Sequence, residues 1–250
     1  MRLEGRTALV TGAGRGLGAD TAIALAAAGA EVVLLSRSGA ELAAVARRIA
    51  ESGGTASTLV CDVTDGPVLR AAVGNLAQLD ILVNNAGGNI PEPFLEVTDD
   101  HLDRLLALNV RGSFLAAQAA VRKMLEAPDR RELGGAVINV SSQMGHVGAP
   151  LRTVYCATKH AVEGMTKALA VELAPHNIRV NSVAPTFVET PLTAPFFADP
   201  AFRNWVVSRI PLGRLGRPQE VVAAIVFLAS PAASLITGAS LLVDGGWTAQ

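Results

Sequence analysis

The 250-residue chain has one tyrosine, two cysteines and three lysines, and each scarcity narrows what it can be. Cys61 and Cys156 cannot make a disulfide framework or a thiolate metal cage, so both are read as small apolar groups and no metal is expected. A formal net charge of −1 and no basic run longer than two residues leave no electrostatic footprint for nucleic acid or an anionic membrane. The longest apolar stretch, 221–229, has about half the length a membrane span needs. Strand-like sequence begins by Thr7, leaving no room for a secretion signal, so a cytoplasmic location is expected. Apolar residues are plentiful at 50%, enough for the core of one α/β domain of the larger size.

Runs of β-forming residues recur at 7–11, 31–36, 57–61, 80–84, 136–141, 178–184 and 240–243, with helical patterns between most of them. That alternation predicts a single doubly wound domain over 1–250, a seven-stranded parallel sheet with helices on both faces. A long irregular stretch from Pro185 to Pro211 carries Phe196, Phe197, Phe202 and Trp205. It is expected to form an apolar lid over a ligand, at about 186–211.

Between the first strand and the first helix, TGAGRGLG places Gly12, Gly14, Gly16 and Gly18 in a turn. Glycines there let the backbone approach a pyrophosphate, and the helix that follows turns its unpaired amides and positive dipole end toward it. This is the form of a dinucleotide site. Gly12, Gly16 and Gly18 fit G-x-x-x-G-x-G rather than the more common G-x-G-x-x-G.

The lone tyrosine, Tyr155, stands four residues before Lys159. On a helix the two share a face, and an ammonium there biases a phenol, which alone titrates near about 10, toward ionisation. Thirteen residues before the tyrosine lies Ser142, with Ser141 beside it, at the end of an apolar run.

Glycine spacing, CDV at 61–63, NNAG at 84–87, LNV at 108–110, the serine pair, Tyr155 with Lys159 and NSVAPTFVET at 181–190 occur in the order of the short-chain dehydrogenase/reductase family, which the chain resembles over roughly 5–247. The resemblance implies a Rossmann-like fold and hydride transfer between NAD(P)(H) and a secondary alcohol or ketone. It implies that Tyr155 is the acid/base, that Lys159 lowers its pKa and holds the nicotinamide ribose, that Ser142 bonds the reacting oxygen, and that Asn109 helps hold a water beside the lysine. Gly12, Arg15, Gly16, Leu17 and Gly18 would receive the pyrophosphate end. Asp62 and Val63 would contact adenine, Asn84, Ala86 and Gly87 would wall the adenosine ribose, and Pro185, Val188 and Thr190 would lie near the carboxamide. Thr186 departs from the glycine usual after that proline, and a β-branched residue narrows the backbone's choices there. A homotetramer is expected on the same ground, with helix pairs and the C-terminal segment at its interfaces.

The second strand ends LLSRS, so Ser36 stands where an NAD site usually has an acid, with Arg37 next and Arg15 in the glycine-rich turn. Two guanidiniums and no carboxylate favour the 2′-phosphate of NADP(H), with NAD(H) as the alternative. Gln143, Met144 and His146 follow Ser142, Arg152 precedes Tyr155, and Val188 and Leu192 face them across the expected pocket mouth. So many hydrogen-bonding groups tilt the substrate toward a polyol, sugar or sugar acid, with Arg152 available to a carboxylate. The alternatives are a 3-oxoacyl thioester reductase, whose acidic carrier would dock on Arg130 and Arg131, a reductase of apolar cyclic ketones, and a non-catalytic cofactor sensor. The sensor would be expected to break the catalytic set, which here is complete.

Overall fold

The computed structural model describes residues 1–190 and 193–250, so Leu192 lies outside the described residues. Its strands are β1 (Thr7–Thr11), β2 (Glu31–Ser36), β3 (Thr55–Val60), β4 (Ile81–Asn84), β5 (Gly135–Val140), β6 (Ile178–Pro185) and β7 (Ser240–Val243). They form one parallel sheet in the order β3-β2-β1-β4-β5-β6-β7. The helices are α1 (Gly16–Ala27), α2 (Gly39–Glu51), α3 (Gly66–Gly74), α4 (Asp99–Leu105), α5 (Ser113–Leu125), α6 (Arg130–Leu133), α7 (Thr153–Leu173), α8 (Pro200–Ser208) and α9 (Pro218–Ala229). Among the described residues no helix is long and apolar enough to cross a membrane.

Successive strand residues face opposite sides, and the sheet has a separate core on each. Ala8, Val10, Val32, Leu34, Ile81 and Val83 pack with α1, α2 and α9, whereas Leu9, Val33, Leu35 and Leu82 pack with α3, α5 and the far part of α7. Both faces being covered is why the strands read as continuous apolar runs rather than alternating ones. On α2, Leu42, Val45 and Ile49 recur at helical spacing and are buried, each contributing about 1.5–3 kcal/mol relative to exposure.

The chain winds outward from β1 to β3 and then restarts at β4 on the other side of β1. The carboxyl ends of β1 and β4 therefore flank a crevice at the point where the strand order reverses, the usual ligand position in such sheets.

The opposite edge holds a buried ion pair. Arg130 donates from Nη2 to Asp80 Oδ1 at 2.9 Å and to the carbonyl of Leu79, and from Nε to the carbonyl of Met124. Asp80 Oδ2 accepts from Thr7 N and Gln78 Nε2. The sequence offered Arg130 and Arg131 as an exposed basic pair, but Arg130 is 4% exposed and belongs to the interior. Local sequence placed two cations side by side. The carboxylate that draws one of them inward lies fifty residues earlier.

The stretch after β6 also differs from expectation. It is largely helical, with a 3₁₀ turn at Ala194–Ala198 followed by α8. Asp199 Oδ1 accepts from Ala201 N and Pro200 occupies the first turn, a start signal present in the sequence. Phe187, Phe197, Phe202 and Trp205 pack on one another and on Trp247, with centroids 5.8–6.2 Å apart. The segment is thereby tied to the C-terminal turn.

Candidate active site

The glycine-rich turn is shaped by what its backbone touches. Gly12 and Gly16 have φ of +65° and +54°, where side chains are strained. A methyl group on Gly18 would lie 2.2 Å from the carbonyl oxygen of Gly12, so α1 begins hard against the turn. Arg15 caps α1 without a side-chain bond and no acid occupies its first turn, so the amides there have no side-chain acceptor. Such a close-approach cradle at a helix N-terminus fits a dinucleotide pyrophosphate. Leu17, between the two glycines, packs against the core of that sheet face.

Two residues that motif spacing had left unassigned hold the cradle. Thr11 Oγ1 accepts from the amides of Asn85 and Ala86, and Asn85 Nδ2 donates to the carbonyls of Thr11 and Gly12. Asn84 instead points into the fold, where its amide donates to Ser113 O and Asn139 Oδ1. Only its backbone is left to face the crevice. The NNAG motif signalled both asparagines, but nothing local told which one turns outward.

Asn109, Ser142, Tyr155 and Lys159 come together from three places in the fold: the π-helical segment, the end of β5 and α7, which carries both Tyr155 and Lys159. Asn109 lies in a π-helical segment, Leu106–Gly112, between α4 and α5, and such bulges are frequent at functional sites. Its side chain accepts from Gly88 N and donates to Gly88 O, both at 2.9 Å, and donates to Thr158 Oγ1 at 3.1 Å. A methyl group on Gly87 would sit 3.3 Å from Asn109 Oδ1 and 3.7 Å from Lys159 Nζ, so these three residues border one space. Ser142 Oγ accepts from Met144 N at 3.1 Å and donates to Gln143 Oε1 at 2.9 Å. Ser141 sits at the strand end, its amide bonded to Val183 O and its hydroxyl over Gly145.

The electrostatics run against the simple expectation for the tyrosine. Burial pushes Tyr155 up to about 12, with Cys156 adding to the rise and a hydrogen bond from Ser142 and the Arg152 charge opposing it. Lys159 Nζ donates to Val140 O at 2.8 Å and lies 5.6 Å from the tyrosine ring centroid. Its own burial pulls it down to about 8 against the pull of Glu163. Desolvation outweighs the groups that oppose it, so the phenol is held protonated.

At the adenosine end, Arg15 and Arg37 are mostly exposed and loosely paired, Arg15 with Glu41 at 3.9 Å and Arg37 with Asp62 at 3.8 Å. Burial lifts the Asp62 carboxyl, but two hydrogen bonds from Thr64 and the Arg37 charge outweigh it and hold it below its ordinary value. Ser36 Oγ accepts from Ser38 N. Val63 is buried against Gly112, and Ala86 packs at the edge of the same core. Beyond Pro185, Thr186 donates its amide to Val243 O, Val188 is buried beside Gly216, and Thr193 Oγ1 accepts from Thr190 N.

Of the expected substrate side chains, Met144 and Arg152 are buried, and Arg152 is near enough to Tyr155 for each charge to affect the other. His146 is engaged elsewhere. Its Nε2 shares a hydrogen bond with Ser240 Oγ at 2.9 Å and lies 3.4 Å from Glu163.

Comparison with known proteins agrees with this geometry. The family model described as "Enoyl-(Acyl carrier protein) reductase" matches residues 12–248. L-xylulose reductase of Bos taurus is 42% identical over 249 residues, covering 100% of this chain and 99% of its own. D-threitol dehydrogenase of Mycolicibacterium smegmatis is 41% identical, covering 99% and 94%. Gluconate 5-dehydrogenase of Burkholderia cenocepacia, solved with NADP and tartrate, superposes with a TM-score of 0.94 at 38% identity and covers 100% of this chain and 97% of that one. The chain is therefore a member of the short-chain dehydrogenase/reductase family, an oxidoreductase that uses NAD(P)(H) on an alcohol or carbonyl group.

Proposed function

We propose that the protein interconverts a polyol, sugar or sugar acid and the corresponding ketone, with NADP(H) as the preferred cofactor. The observation that carries the substrate reading is Arg152, a buried guanidinium electrostatically coupled to Tyr155. A cation beside the acid/base suits a hydroxyl or carboxylate neighbouring the reacting carbon. The names of its relatives, a xylulose reductase, a threitol dehydrogenase and a gluconate dehydrogenase, support the same class. Arg15 and Arg37, with Ser36 in place of an acid, support the 2′-phosphate.

When bound, the nicotinamide supplies or accepts the hydride. Tyr155, held protonated, gives its proton to the carbonyl oxygen in reduction and takes it back in oxidation. Ser142 turns its hydroxyl from Gln143 Oε1 to the same oxygen, where negative charge gathers in the transition state. Lys159, beside Gly87, would hold the nicotinamide ribose, and Asn109 fixes the Gly88 backbone at the wall of that space. Met144 and Arg152 belong to the proposed pocket mouth. We also place the protein in the cytoplasm as a homotetramer; exposed Phe114 on α5 and Val171 on α7 supply apolar surface for helix pairing.

The test is kcat/KM for a hydroxylated substrate and for its deoxy analogue, in wild type and Arg152→Ala. The hydroxylated or carboxylated substrate is expected to win, and Arg152→Ala to reduce its advantage about tenfold or more. Preference for the deoxy analogue, unchanged by the substitution, would reassign the pocket to an apolar ketone or acyl thioester.

A further inference from the structure

We infer that Glu41 sets the balance between the two nicotinamide dinucleotides, supplying from helix α2 the carboxylate that the end of β2 lacks. The inference rests on the reading that the glycine-rich turn binds NAD(P)(H).

Glu41 occupies the third position of α2, behind the cap residue Ser38, whose Oγ accepts from Glu41 N at 3.3 Å. In a capping box the glutamate side chain would return to the cap amide. Here that amide donates instead to Ser36 Oγ at 3.3 Å, and the Glu41 carboxylate reaches toward the glycine-rich turn. A methyl group built on Gly14 would lie 2.8 Å from Glu41 Oε2 and 3.1 Å from Ser36 Oγ. The carboxylate and the serine hydroxyl therefore close over the same side of Gly14, next to the strand end that normally carries the ribose-binding acid. Glu41 Oε1 also lies 3.9 Å from Arg15 Nη1.

The two cofactors meet this arrangement differently. A ribose 2′-hydroxyl is a donor, and a carboxylate beside Ser36 can accept from it. A 2′-phosphate carries two negative charges, so Arg15 must exchange Glu41 for the phosphate while Glu41 remains close and repels it. Arg37 faces a milder form of the same exchange with Asp62. Glu41 thus favours NAD(H) and opposes NADP(H), and the two arginines pull the other way.

Dissociation constants for NADH and NADPH, measured by fluorescence titration at low and high salt, test this. Glu41→Gln keeps the size and removes the charge. It is expected to tighten NADPH by about 2- to 5-fold, as suits a partly exposed charge pair, and to weaken NADH by a similar factor. The NADPH gain should shrink at about 0.5 M salt, where screening is short-ranged. Gly14→Ala provides a second variant. Gly14 has no positive φ, so its backbone accepts alanine, and the new methyl, 2.8 Å from Oε2 and 3.0 Å from Cβ of Glu41, pushes that side chain away from the turn. It should shift the NADPH-to-NADH ratio in the same direction. If wild type binds both nucleotides and neither substitution moves the ratio, the assignment of Glu41 is wrong while the cofactor site stands. If wild type binds neither nucleotide, the cofactor site and this inference fall together.

Discussion

Asn109 and Thr158 are joined by a hydrogen bond of 3.1 Å that ties the π-helical segment to the helix of Tyr155 and Lys159. Thr158 Oγ1 passes the link on, donating to the carbonyl of Tyr155 at 2.8 Å. Thr158→Val keeps the shape and removes both bonds. It is expected to lower kcat about tenfold and to cost about 1–2 kcal/mol in urea unfolding, because the buried Asn109 amide loses one acceptor. Thr158→Ser should restore most of both. Unchanged kcat in the valine variant would show that the link does not position the site.

Tyr155→Phe should reduce kcat by about 10²- to 10⁴-fold while NADPH still binds, since only the hydroxyl is lost. Ser142→Ala should be impaired as well. Ser141→Ala should retain more activity, because the Ser141 hydroxyl lies over Gly145 rather than bonding Met144 N and Gln143. Single-turnover measurements decide, and the reverse order of the two serines would exchange their roles.

The pH dependence follows from two opposed shifts. Lys159 titrates near about 8 in the fold against 10.5 ordinarily, so the unfolded chain holds more protons between these values and folding stability should rise with pH across that window. Tyr155, raised from 10.0 to about 12, keeps its proton when folded, so its contribution is lost as pH rises through that range. For activity, kcat/KM for reduction should fall above about pH 8 as Lys159 loses its charge. Lys159→Arg remains charged, and whatever activity it retains should lack that fall. A fall preserved in the arginine variant would assign the titration to another group.

Arg37→Ala should weaken NADPH by roughly tenfold and leave NADH nearly unchanged, the size of one charge-assisted hydrogen bond. Equal loss for both nucleotides, by fluorescence titration, would make Arg37 a structural residue.

Arg130→Met leaves the buried Asp80 carboxylate with Arg6, 3.6 Å away, as its remaining cation, and should destabilise the fold by about 1–3 kcal/mol. The double variant Asp80→Asn with Arg130→Met should cost less than the sum of the two single changes, which urea midpoints can establish. Because the pair lies at the amino ends of the strands, kcat of the folded Arg130→Met protein should match wild type. Additive losses would mean the pair is not coupled.

The strands, the glycine-rich turn and the Tyr155–Lys159 face were determined by sequence alone, because each is a matter of spacing along one segment: buried β-runs of a few residues, positive φ at Gly12 and Gly16, four residues per helical step. β3 was the least well bounded, beginning at Thr55 rather than 57, since it is an edge strand whose exposed Thr55 and Ser57 blur the apolar run. Tertiary structure decided the rest. Whether Asn84 or Asn85 faces the turn, which of Arg130 and Arg131 is drawn inside, and where the Glu41 carboxylate points depend on partners distant in the chain or on rotamers chosen by packing. Even Tyr155 titrates upward against the expectation of its neighbouring lysine, because desolvation is set by the whole enclosure and a residue's neighbours in sequence supply only one charge within it.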